Sequence, residues 1–156
     1  MKAKGQPKYK QQPSDREVRA ALDPNSYLKE TPVWRFRDFD WEGPWGHAAC
    51  IHCIGDIRKH IEQHLANFET MTWDEIVKAS GAKRDGKGNN HHSIPVDKFT
   101  KPAKERLKEK GILADTLFSL RLDQCTRVYG VREGHCLRLV FFDPHHCDHT
   151  NSAYRF

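Results

Sequence analysis

The stretch that decides the fold is Leu117-Phe118-Ser119-Leu120-Arg121-Leu122, then Thr126-Arg127-Val128-Tyr129-Gly130-Val131-Arg132, then His135-Cys136-Leu137-Arg138-Leu139-Val140-Phe141-Phe142. Asp143-Pro144-His145-His146-Cys147-Asp148-His149 closes it. Asp123-Gln124-Cys125 and Glu133-Gly134 separate the three β-rich runs, and connections this short suit an antiparallel meander. Alternation assigns the faces. Phe118, Leu120 and Leu122 share one face, with Ser119 and Arg121 on the other. Leu137, Leu139 and Phe141 share a face, with Arg138 opposite. If Val128 points inward, Arg127 and Tyr129 join Arg121 and Arg138 on the open side. The expectation is a sheet with one buried face and one cationic face.

Upstream, Val33-Trp34-Arg35-Phe36-Arg37 alternates and reads as an edge strand. Residues 47–67 read as one helix, because Ile51, Ile54, Ile57, Ile61 and Leu65 recur at spacings of three and four. Thr72-Trp73-Asp74-Glu75 has the capping-box pattern and opens a second helix. Residues 81–92 read as a mobile basic loop ending in His91-His92. Ile94-Pro95-Val96 is short and extended. Thr100 or Lys101 opens a third helix, with Pro102 in its first turn and Gly111 at its end. The expected architecture is a single α+β domain over residues 16–156, with an N-terminal strand and helices before a three- or four-stranded C-terminal meander around one core. Residues 1–15, rich in Lys, Gln, Pro and Gly, are expected to be a disordered tail.

The chain has 156 residues, 30% of them charged and 37% hydrophobic. No apolar run approaches the ~20 residues of a membrane helix, and the N-terminus lacks a secretory pattern, so a cytoplasmic protein without a membrane partner is expected. Residues 1–20 hold six Lys/Arg against two Asp/Glu; of the net +5, this leaves +1 for the rest. The body therefore carries a local arginine patch and not a uniformly cationic surface. The five cysteines are odd in number, which favours reduced thiols.

The candidate site joins Arg121, Arg127 and Arg138 to His145 and His146. Guanidinium groups bind phosphate through paired hydrogen bonds, and an imidazole can protonate a leaving alkoxide near neutral pH. Cys50-x-x-Cys53 with His47 and His52, and the Asp143–His149 cluster, offer zinc-ligand types. The CxxC pair lies inside a helical stripe, however, so no metal and no cofactor is expected. Asp38, Asp40 and Glu42 flank Trp41, but none stands out as a general base.

In its last three runs, Phe118–Leu122, Thr126–Val131 and Leu137–His146, the sequence resembles the RelE/YoeB superfamily of bacterial toxins. It is also similar to phage and mobile-element proteins with an Arg-Val-x-Gly stretch and an Asp-Pro-x-His ending, matched here by Arg127–Gly130 and Asp143–His146. The resemblance covers about 30 of 156 residues. It implies a RelE-like fold and a metal-independent endoribonuclease that cleaves mRNA on the ribosome and is held by a small antitoxin. By the same carry-over, Arg121 and Arg127 would clamp the phosphate and His145 would be the general acid. Arg138, Tyr129 and His146 would be RNA contacts. The chain departs from the family in length, in Asp143-Pro144 before the histidine, and in having no glutamate at the place of the base. Two rival readings stand beside it: a non-catalytic inhibitor or adaptor that binds protein or RNA on the same scaffold, and a zinc-stabilised nucleic-acid binder or HNH-like nuclease.

Overall fold

A computed structural model describes residues 26–49, 56–79, 89–148 and 150–155. The expected tail, Cys50, Cys53 and most of the 81–92 loop lie outside these residues.

The strands are β1 (Val33–Arg35), β2 (His92–Pro95), β3 (Thr116–Arg121), β4 (Arg127–Glu133) and β5 (Cys136–Asp143). The helices are α1 (Ile57–Leu65), α2 (Trp73–Lys78) and α3 (Lys101–Glu109). β3, β4 and β5 form the expected meander, and the α+β class holds. Gly134 takes φ 59° in the β4–β5 turn, a backbone state open to glycine at little cost. The sheet is larger than expected: five strands in the order β1-β5-β4-β3-β2, with β1 parallel to β5 and β2 antiparallel to β3. Neither added strand exceeds four residues, and both gain their order from a longer neighbour.

α1 begins later than its stripe suggested. His47–Ala49 is a separate 3-10 turn. α1 starts at Ile57 behind Asp56, whose carboxylate accepts the Arg58 N–H at 2.9 Å. α2 has both halves of its capping box: Glu75 accepts the Thr72 N–H and the Thr72 hydroxyl accepts the Glu75 N–H. α3 carries Pro102 in its first turn, and Gly111 follows it at φ 66°.

The expectation of one buried face fails. Both faces of the sheet are packed, each against its own apolar cluster. On one side Ile57, Ile61 and Leu65 of α1 and Trp73 and Ile76 of α2 meet Phe118, Leu120, Val128, Leu137, Leu139 and Phe142. On the other, Ala103 and Leu107 of α3 join Trp45, Ile94 and Phe99 against Leu117, Tyr129, Val140 and Phe141. A strand covered on both sides reads as a continuous apolar run, which is what Leu139–Phe142 is.

The alternation of β5 also changes phase. Tyr129 pairs with Phe141 and Gly130 with Leu139, so Val140 is an extra residue, a β-bulge. Beyond it the faces exchange, and Phe141 lies opposite Leu137 and Leu139 instead of beside them. The bulge has partners. The Val140 carbonyl accepts the Asp40 N–H at 2.9 Å, and the Phe142 N–H donates to the Trp45 carbonyl at 2.8 Å. A Cβ at Gly130 would collide with the Arg138 carbonyl, so this close approach requires glycine. Asp40, buried, takes a two-pronged bond from Arg106 of α3, at 2.8 Å from Nε and 2.6 Å from Nη2, and locks this segment to the helix.

Among the described residues no helix is long and apolar enough to cross a membrane.

Candidate functional site

The β3–β4 end of the sheet gathers the chemistry. Arg121 and Arg127 are cross-strand partners, and Arg127 is in turn paired with Asp143. The loop between β3 and β4 is an Asx-type turn: Asp123 Oδ1 accepts the N–H groups of Cys125 and Thr126 at 2.9 and 2.8 Å. Those bonds hold the Asp123 carboxyl below its ordinary pKa against the burial that would raise it, and the His64 charge lowers it further.

Arg127 is not an open phosphate clamp. It is 8% exposed, and its Nη1 donates to the carbonyls of Asp123, Gln124 and Thr126 at 2.8, 3.3 and 3.0 Å. Burial and the neighbouring Arg121 charge lower its pKa. Arg121 is half-buried; Nε donates to the Asp123 carbonyl and Nη1 to Asn90 Oδ1, each at 3.1 Å. The Arg121 N–H donates to His91 Nδ1 at 3.0 Å. His91 is buried with its ring edge-on to Phe68 at 5.3 Å. Burial, with Arg127, Arg121 and His92 adding to it, pushes its pKa down to about 4.

The expected site is otherwise corrected. Tyr129 is fully buried against Phe99 at 5.1 Å, which removes it as a surface RNA contact. Burial raises its hydroxyl pKa. Arg138 lies five residues from Asp143, roughly 15 Å along β5, and pairs with Asp38 at 3.1 Å and Glu133 at 3.3 Å. It belongs to the opposite end of the sheet. There the β3–β4 ladder stops at Phe118–Gly130, and a polar cleft of about 380 Å³ lies between Ser93, Asp115, Thr116, Arg132, Glu133 and Arg138.

His145 and His146 are partly exposed and sit in a turn just past the end of β5. Asp143 builds that turn, accepting the His145 N–H and the Ala153 N–H at 2.8 Å each. Its own burial raises its pKa against these bonds. The His146 N–H donates to the Cys125 carbonyl at 3.0 Å, and its ring stacks on Tyr154. Asp143-Pro144-His145-His146 is thus first a turn-forming motif.

Four features escaped the sequence reading. His60 and His64 stand one helical turn apart on α1, with ring centroids 5.0 Å apart, and His60 lies edge-on to Phe142 at 5.9 Å. Their i, i+4 spacing was the available signal. Burial and the His64 charge lower the His60 pKa, while Asp123 raises it. Asn90 lies next to the His91-His92 pair but carries no pattern of its own. The fourth is a disulfide, Cys125–Cys147, which corrects the expectation of reduced thiols. Spacing alone leaves such pairings undetermined.

Among the described residues no group of three or more His, Cys, Asp or Glu side chains is placed to hold a metal. Of the zinc-ligand types weighed from the sequence, Cys50, His52, Cys53 and His149 lie outside them. Asp38 and Asp40, weighed as bases, are occupied by Arg138 and Arg106.

Comparison with protein-family models, with curated proteins and with solved structures finds no match. The class is therefore defined by fold and site alone: an α+β protein with a five-stranded mixed sheet packed on both faces and an arginine–histidine rim at one end.

Proposed function

We propose that this is an RNA-binding protein whose contact surface is the rim formed by Arg121, His60, His64, His92 and His145. One observation carries the reading. Arg121 and Arg127 face each other across β3 and β4, and beside them burial, with neighbouring positive groups adding to it, lowers the pKa of His91 and His60. Meanwhile Asp123 Oδ1 and the buried Asp143 carboxylate accept backbone N–H groups. The rim thus presents a guanidinium and partly exposed imidazoles, which a phosphate chain complements. Single-stranded RNA fits better than duplex DNA, because partly exposed imidazoles offer flat surfaces on which unpaired bases stack.

The test is fluorescence anisotropy with a labelled 15-nucleotide oligouridylate at two salt concentrations. Arg121→Ala should weaken binding and reduce the salt slope by about one contact. Equal affinity and slope in the variant would remove the rim as the contact.

The narrower reading, a ribosome-dependent mRNA endoribonuclease with an antitoxin partner, stays second. It is favoured by Arg121 and Arg127 lying side by side, with His145 two residues past Arg127's partner Asp143. It requires Arg127 to exchange its three carbonyls for phosphate, with His145 donating a proton to the 5′-oxygen leaving group. Loss of transcript cutting in His145→Ala, with RNA affinity retained, would favour it. The adaptor reading shares the same surface without cleavage.

A further inference from the structure

We propose that the Cys125–Cys147 disulfide is a redox latch on the rim: the oxidised form keeps Arg127 bonded within the β3–β4 loop, and reduction releases it to phosphate. Its functional half rests on the RNA reading above; its structural half does not.

The disulfide joins the two segments that carry the rim. Cys125 is in the β3–β4 loop, whose carbonyls at Asp123, Gln124 and Thr126 occupy Arg127 Nη1. Cys147 closes the turn that bears His145 and His146. Besides the covalent bond, the His146 N–H donates to the Cys125 carbonyl at 3.0 Å across the two segments. Leu122 anchors one end of the loop on the core and Thr126 is buried at the other, while Asp123 and Gln124 between them are exposed and Cys125 is partly exposed. Opening such a segment costs little once the cross-link is gone.

The sulfurs are reachable, Cys125 partly exposed and Cys147 exposed. A dithiol supplies both electrons. Its thiolate attacks Cys147 Sγ, the S–S bond breaks, and Cys125 leaves as a thiolate that takes a proton. The second thiolate of the reagent then displaces Cys147, which is also protonated, and the reagent ends as its own disulfide. With the loop free, the Arg127 guanidinium exchanges neutral carbonyls for a charged phosphate oxygen, a stronger acceptor.

The experiment follows the full-length protein before and after treatment with dithiothreitol, with two readouts. Hydrogen exchange of the amides at residues 123–127 and 145–148 should speed up by on the order of tenfold or more on reduction. Affinity for the oligouridylate should rise about tenfold. The double variant Cys125→Ser/Cys147→Ser should behave as reduced in both conditions. Unchanged exchange on reduction, or two free thiols at these positions in oxidised protein by mass spectrometry, would overturn the latch even if RNA binds well. Faster exchange with no RNA binding in either state would leave the latch standing and remove the RNA reading. Faster exchange with equal RNA affinity in both states would overturn the release of Arg127.

Discussion

The buried His91 makes the fold acid-sensitive in a window that can be worked out. Its ring is 5% exposed, and its Nδ1 accepts the Arg121 N–H, so this nitrogen has to be unprotonated. The unfolded chain binds the proton near the ordinary value of 6.5, whereas in the fold the pKa is pushed down to about 4. Between those values the unfolded chain holds the extra proton. Stability therefore rises with pH across the window, is fully present above about pH 6.5, and is lost as pH falls toward 4. A gap of this width corresponds to about 2 kcal/mol lost by pH 5 and about 3 kcal/mol by pH 4. His60, also lowered, contributes in the same direction. Asp143, whose pKa is raised from 3.8, contributes stability at low pH that is lost as pH rises through its raised value. The assay is urea unfolding from pH 8 to pH 4 on the parent and on His91→Asn, whose Oδ1 can accept from Arg121 without titrating. The variant should be less stable at pH 8, because it leaves space beside Phe68, yet its curve should be flatter and approach the parent's near pH 5. Parallel curves would refute the argument, because they would place the titration elsewhere.

Three further outcomes test the frame around the site. Arg106→Leu strands the buried Asp40 carboxylate and should lower stability by about 3 kcal/mol in denaturant unfolding, whereas a loss below half that would mean that the pair does not anchor α3. Gly130→Ala pushes a methyl into the Arg138 carbonyl and should cost about 2 kcal/mol with loss of β5 amide protection; an unaffected variant would deny the close approach. Reducing Cys125–Cys147, separated by 22 residues, should lower the unfolding free energy by about 3 kcal/mol, and an equal melting temperature with and without dithiothreitol would show that the bond is not formed in solution.

The features legible in the chain are those set by contacts a few residues apart. The Thr72/Glu75 capping box, Pro102 and Gly111 around α3, and the meander spacing around Asp123 and Gly134 each act within one turn of backbone, and they appear where they were read. The alternation of β3 also held, since no partner disturbs its phase. The histidine pair of α1 belonged to this legible class too, through its i, i+4 spacing. What failed depended on partners distant in sequence. The phase of β5 is broken at Val140 because Asp40, a hundred residues earlier, offers an N–H to its carbonyl. β1 and β2 were read as an edge strand and a short extended run, but their pairing, parallel to β5 and antiparallel to β3, was not. Arg127 and Tyr129 alternated onto the same side, but there Tyr129 is covered by α3 and Phe99 and Arg127 is taken up by its own loop. An alternating pattern assigns residues to faces and says nothing about what packs on each face; only the tertiary structure decides which charges meet water and which are spent inside.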